Sequence, residues 1–187
     1  MSGLSGTHRQ GWLAGLPLVV LAFAAEGAPR SSKTGVPPHN DPRLKKPPPV
    51  PPAGTAGARA KLLVEAIREG KPGLADPFFF PRDAFRKVKA IRNPDRYYRR
   101  LLKLYHGDVL DLRRRLTRPD HIEFIGFQLS RRRRWTPRGK EANALPYWDA
   151  YGSAVLVRDG SRTRELRVRV MITWDGKWYV THLTRMK

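Results

Sequence analysis

Hydrophobic residues recur along this chain with two periods, and the change falls between Leu116 and Ile122. Tyr98, Leu101, Leu102, Tyr105, Val109, Leu112 and Leu116 follow at helical steps, which places them on one stripe of a single helix. Asn93-Pro94 opens that helix. The asparagine side chain can accept from a free first-turn N–H, and proline lacks an N–H that would have no partner there. Arg99, Arg100, Lys103, His106 and Asp111 occupy the opposite face, and Arg113-Arg114-Arg115 form the exit. From Ile122 the period is two. Ile122–Leu129, Tyr147–Arg158, Arg164–Trp174 and Trp178–Thr184 predict four strands. In the third, Leu166, Val168, Val170, Ile172 and Trp174 alternate with Glu165, Arg167, Arg169, Met171 and Thr173, so one face is buried. Trp174-Asp175-Gly176-Lys177-Trp178 predicts a two-residue hairpin turn.

Two shorter helices precede the long one. Ala60, Leu63, Val64 and Ile67 share a face of the first, with Thr55 as cap and Gly70 as stop. The second opens at Pro81 and turns Phe85 and Val88 to one side. Between them lie Phe78, Phe79 and Phe80. Three adjacent rings on a loop do not all point inward, so at least one is expected to seal the edge of the core. Helices followed by a meander predict an α+β domain, with N-terminal helices packed on a curved antiparallel sheet of about four strands.

That domain is expected over residues 58–187, a length that buries enough surface to need no disulfide or metal staple. Residues 26–57 hold nine of the seventeen prolines, including Pro47-Pro48-Pro49-Val50-Pro51-Pro52. Such a composition favours extended polyproline II and predicts a disordered linker. Residues 1–25 read as a secretory signal peptide. His8 and Arg9 form the n-region, Leu13 to Ala25 an uncharged, mostly apolar run, and Ala22-Phe23-Ala24 a small-residue cleavage site. The expected location is the periplasm or the exterior of a Gram-negative cell after cleavage near Ala24, or a membrane tether if the signal is retained.

The formal charge of +21 sets the electrostatic character. Residues 58–187 carry 31 Lys and Arg against 14 Asp and Glu, a net +17. A field of that sign draws anionic partners and weakens with salt. Arg-, Ala-, Gly- and Pro-rich composition also accompanies GC-rich coding, so charge alone does not prove a binding surface. The absence of cysteine excludes disulfides, a thiol nucleophile, lipoprotein attachment and cysteine-ligated zinc. His106, His121 and His182 lack the spacing of a metal site, and no phosphate loop, nucleophile elbow or cofactor signature is present.

The three-helix start, the strand order and the closing Met171-Ile172-Thr173-Trp174-Asp175-Gly176-Lys177-Trp178-Tyr179-Val180 resemble the cone-shaped ketosteroid-isomerase-like and SnoaL-like α+β superfamily. The resemblance covers residues 58–187 and is architectural, without a catalytic motif. The strand that such folds often place between the second and third helices is missing, and a cystatin-like arrangement fits nearly as well. The resemblance implies a pocket between sheet and helices, used in some members for small apolar ligands and in others for dimer contacts.

Two clusters are candidate sites. An isomerase-type reaction needs a carboxylate base and a hydrogen-bond donor inside the cone, and Asp149 with Tyr147 and Tyr151 could supply them. A two-residue turn at Asp159-Gly160 pairs Arg158 with Ser161 and sets Asp149 opposite Val170 on the apolar face. A three-residue turn sends Asp149 to solvent and turns Trp148, Ala150 and Ala154 inward. Both registers remain open. Arg131, Arg132, Arg133 and Arg134 beside Trp135 form the anion-binding candidate, read as an exposed loop. Arg113, Arg114, Arg115, Arg167 and Arg169 could extend its field. The expected function is an exported, non-enzymatic binding or interaction domain with a basic surface. The alternatives are a polyanion binder for nucleic acid or lipopolysaccharide, and a small enzyme acting on a carbonyl compound. Candidate partners are an anionic envelope component, another protein, a small apolar ligand or a second copy in a homodimer.

Overall fold

The computed structural model describes residues 35–184. Residues 1–25, read above as a signal peptide, and the first part of the segment read as a linker lie outside the described residues. Three α-helices, α1 (Ala56–Glu69), α2 (Arg82–Val88) and α3 (Pro94–Arg115), precede five strands. These are β1 (Glu123–Gln128), β2 (Arg133–Thr136), β3 (Tyr147–Asp159), β4 (Arg162–Trp174) and β5 (Lys177–His182). They form one antiparallel sheet in the order β1-β3-β4-β5, with β2 also paired to β3. The architecture is α+β, as the order of periods predicts.

Local signals account for the helix ends. Asn93 Oδ1 accepts from the Arg96 N–H at 3.0 Å and caps α3. Gly70 ends α1 at φ 66°, with the Lys71 N–H returning to the Ala66 carbonyl at 3.0 Å. Thr55 does not cap α1: it sits in helical backbone, and its hydroxyl accepts from Arg59 Nη2 instead. Arg113 adds a tertiary cap by donating to the Ile67 and Arg68 carbonyls at the exposed end of α1. Leu101, Tyr105, Val109 and Leu116 of the predicted α3 stripe are buried.

All three phenylalanines are buried, which corrects the expectation that some must face out. The segment is not a surface loop. It runs beside β5, with a parallel bridge between Phe79 and Val180 and a bond from the Phe80 N–H to the Val180 carbonyl at 2.9 Å. The rings diverge toward different partners: Phe78 to Phe127, Phe79 to Tyr98 and Tyr105, and Phe80 to Phe85 and Tyr179.

The β3–β4 turn is two residues long, but it is Gly160-Ser161, closed by the pair Asp159–Arg162. Asp149 therefore stands opposite Ile172 rather than Val170. A two-residue displacement preserves the face, so Tyr147, Asp149 and Tyr151 share the inner side of the sheet with Val170 and Ile172. Asp175 and Gly176 form the β4–β5 turn with φ 52° and 66°, the conformation that a two-residue hairpin demands.

Arg133–Thr136 is a strand, not the loop expected of Arg131–Trp135. Together β1 and β2 are one broken strand along the same edge of β3, interrupted at Leu129–Arg132. Opposite the break lies Gly152, in β3, at φ 78°. The Tyr151 N–H still reaches the Arg132 carbonyl, and Ser153 Oγ accepts from the Ser130 N–H, so the break is spanned by two bonds.

The described part of the linker is packed, which corrects its reading as a free spacer. Residues 35–55 form a strap whose bonds reach the outer face and lower turn of the sheet. Trp178 Nε1 donates to the Pro51 carbonyl at 2.9 Å, and Trp148 Nε1 to the Pro48 carbonyl at 3.1 Å. Polyproline backbone makes no internal hydrogen bonds, so its carbonyls are available to such donors. Asn40, fully buried, donates to the Pro146 carbonyl at 2.8 Å and accepts from the Asp175 N–H at 3.1 Å. Trp178→Phe would leave the buried Pro51 carbonyl without its donor. It is expected to cost at least about 1 kcal/mol in urea unfolding and to expose the strap to protease before the sheet. Unchanged stability and strap protection would contradict this role.

Candidate anion-binding cleft

Burying a carboxylate demands a partner, and Asp149, 1% exposed, has several. Its Oδ2 accepts from Arg134 Nη2 at 2.9 Å and Nε at 3.2 Å, from Thr136 Oγ1 at 2.6 Å and from the Tyr151 hydroxyl at 3.5 Å. Antiparallel pairing of β2 with β3 sets Arg134 directly across from Asp149. Arg134 Nη2 also reaches Glu141 Oε1 at 2.5 Å and Tyr151 OH at 2.9 Å. Tyr147 OH donates to Glu141 Oε2 at 3.2 Å and accepts from Lys89 Nζ at 3.1 Å. The sheet thus draws the three predicted groups Asp149, Tyr147 and Tyr151 into one network.

The network shifts the proton affinity of several of its members. Hydrogen bonding to Asp149 raises the Arg134 pKa still further. Burial, reinforced by Glu141, pushes the Tyr147 phenol up, and burial with Asp149 does the same to Tyr151. Burial lowers Lys89, with Glu141 opposing it. Asp149 Oδ2 is saturated with donors, and the phenols keep their protons. Such an arrangement positions strands and aims Arg134; it does not leave Oδ2 free as a base.

Beside this network, where β3 kinks and the β1–β2 strand breaks, a cleft of about 960 Å³ opens. Leu112 of α3, Leu116 just beyond its end, Leu166 of β4 and Leu183 give it an apolar lining, and Tyr151 and Gly152 join its wall. Arg115, Arg132, Arg164, Arg167 and Arg169 surround it, against the single carboxylate of Glu165. Arg164 is taken: its Nε lies 2.8 Å from Asp159 Oδ2, and that carboxylate also accepts from the Thr117 and Arg118 N–H groups. Those backbone bonds, Thr117 first, hold the Asp159 pKa low. Arg115, Arg132, Arg167 and Arg169 make no ion pair with any described residue.

The arginine tetrad of the sequence is therefore divided. Arg134 turns toward Asp149, Arg132 faces the cleft, and Arg131 and Arg133 are exposed outside it. Trp135 packs edge-to-face on Trp148 at 5.6 Å. Arg113 and Arg114 are engaged at the end of α3, with Asp120 and Asp111. Arg164, Lys89, Thr136 and Glu141 escaped the sequence reading. The alternation Arg164, Leu166, Val168 was a usable signal for the first, and none marked the others. Among the described residues no group of three or more His, Asp and Glu side chains converges as a metal site would need.

No family model, curated protein or solved structure matches the chain. The functional argument therefore rests on the site itself.

His182, on β5 opposite Val170, is half-buried near this network. Burial first, then repulsion by Arg169 and Lys89, depresses its pKa below the ordinary 6.5, and Asp108 opposes them. The unfolded chain binds a proton near 6.5 that the folded chain refuses. His182 therefore contributes stability above that pH, lost as pH falls through the lowered folded value. Urea midpoints at about pH 7.5 and about pH 5.5 should diverge less in His182→Gln than in the parent. Equal divergence would contradict this account.

Proposed function

We propose that this chain is an exported, non-enzymatic binding domain of the cone-shaped α+β kind, whose cleft takes an amphiphilic anion. The observation that carries the reading is the mismatch in the cleft. Four arginines without ion-pair partners among the described residues, Arg115, Arg132, Arg167 and Arg169, line the cleft together with four leucines. Like charges gathered on a folded surface repel, and an anion relieves that repulsion while gaining charge-assisted hydrogen bonds. A leucine lining adds nothing for a bare inorganic ion but buries the body of an amphiphile. The residue pattern of segment 1–25 supports export, and helices packed over a curved sheet support the cone reading.

A second reading, a polyanion binder, is favoured by a different observation. Arg96, Arg99, Arg100 and Lys103 continue the basic surface along exposed α3, beyond the cleft. A carbonyl enzyme driven by Asp149 is disfavoured because its carboxylate is ion-paired to Arg134 through Oδ2 and its remaining oxygen, Oδ1, is buried away from the surface.

Dodecyl phosphate, titrated below its micelle concentration, separates the first two. The amphiphile reading expects saturable binding with a log–log salt slope of about −1, since one head group is neutralised. Arg167→Gln/Arg169→Gln should weaken it about tenfold or more, as loss of charged hydrogen bonds implies. Tight binding of a single-stranded oligonucleotide with a slope of several, unaffected by that double substitution, would overturn it in favour of the α3 surface.

A further inference from the structure

A second cleft, of about 600 Å³, opens between the α2–α3 connection, α3 and the turn after β2. Three independent observations meet there. The first is backbone geometry. Glu141 and Ala142, neither of them glycine, occupy consecutive left-handed conformations at φ 49° and 52°. L-residues adopt this conformation only when their surroundings impose it, and such strain collects at functional sites. Here it is imposed by bonds from the Ala90 N–H to the Ala142 carbonyl at 2.8 Å and from the Ala144 N–H to the Val88 carbonyl at 2.7 Å. The consequence is that Glu141 is brought over Lys89 and Tyr147.

The second observation is Lys89 itself. It is the only lysine among those lining this cleft, and its Nζ lies 3.1 Å from Tyr147 OH and 3.4 Å from the Glu141 carbonyl. Its ammonium form is held by those two oxygens and by the Tyr147 ring, 5.3 Å away, against the cost of burial. Glu141 is the nearby carboxylate, and it is shared with Arg134 and Tyr147. Arg134 of β2, Asp149 and Tyr151 of β3 and His182 of β5 complete the charged and titratable groups on the sheet side. Burial lowers the Lys89 pKa, which raises the fraction carrying a free lone pair. The third observation lies on the facing wall. Arg96 and Arg100 are one helical turn apart on α3 and carry no ion pair among the described residues.

We propose that Lys89 is a covalent carbonyl-capturing amine, in a cleft that takes a small α-keto acid whose carboxylate is held by Arg96 and Arg100. The neutral Nζ adds its lone pair to the carbonyl carbon, giving a carbinolamine. The former carbonyl oxygen then leaves as water, carrying the two protons that Nζ gives up, and a C=N bond replaces C=O. Tyr147 OH and Glu141 are placed to pass protons between nitrogen and departing oxygen. The step is reversible and consumes no oxidant or reductant. It uses a different cleft from the amphiphile and does not depend on that reading.

The test is reductive trapping on the full chain. Pyruvate and sodium cyanoborohydride are supplied in limiting amounts, and the hydride fixes any imine as a secondary amine for peptide mapping. Lys89 is expected to be labelled about tenfold or more faster than the exposed Lys61, Lys87 and Lys103. Arg96→Gln/Arg100→Gln should abolish its preference for pyruvate over acetone while leaving Lys89 reactive toward acetone. Labelling of Lys89 no faster than the exposed lysines would overturn the proposal. An unchanged pyruvate preference in the double variant would overturn the assignment of the carboxylate to those arginines.

Discussion

The pairing of Asp159 with Arg162 decides the rest of the molecule, because side chains in a sheet change face with every residue. With that register Tyr147, Asp149 and Tyr151 point inward with Val170 and Ile172, while Trp148, Ala150, Met171 and Thr173 point outward. A slip of one residue would drive Trp148 into the helix-covered face and turn Asp149 to the other side. The outer face then needs its own cover, and the strap supplies it through the indole N–H groups of Trp148 and Trp178. Two layers of core, one under the helices and one under the strap, follow from one turn.

The cleft follows from a local failure of the same ladder. Gly152 bends β3, the β1–β2 strand breaks opposite it, and the inner face opens between α3 and β4. Arginines from α3, the break between β1 and β2, and β4 line that opening, and most have no carboxylate to meet. Several arginines elsewhere are matched: Arg134 to Asp149 and Glu141, Arg86 and Arg82 to Asp95, and Arg113 to Asp120. In the cleft, unmatched arginines are gathered beside leucines, and this is why the functional reading settles there.

Much of this was legible beforehand. The α3 stripe, the Asn93 cap and the Asp175-Gly176 turn are local, and local chemistry is written in adjacent residues. The strap was not, because proline content says only that the segment makes no internal bonds. Its partners, Trp148 and Trp178, lie about a hundred residues away in sequence. Strand β2 was hidden for an electrostatic reason: four successive arginines read as solvated loop until Asp149 and Glu141 are known to receive Arg134. The facing of Asp149 depended on whether the turn holds two residues or three, which Asp159-Gly160-Ser161 leaves ambiguous. Lys89 had no signal, since its burial arises from a strained turn more than fifty residues downstream.

The most direct test of the arginine cleft is solution NMR mapping of backbone amides during titration with dodecyl phosphate. Perturbations should cluster at Arg132, Gly152, Leu166, Arg167, Arg169 and Leu183, and saturate together. Perturbations confined to the Arg96–Lys103 face of α3, or spread evenly over the basic surface, would contradict the account.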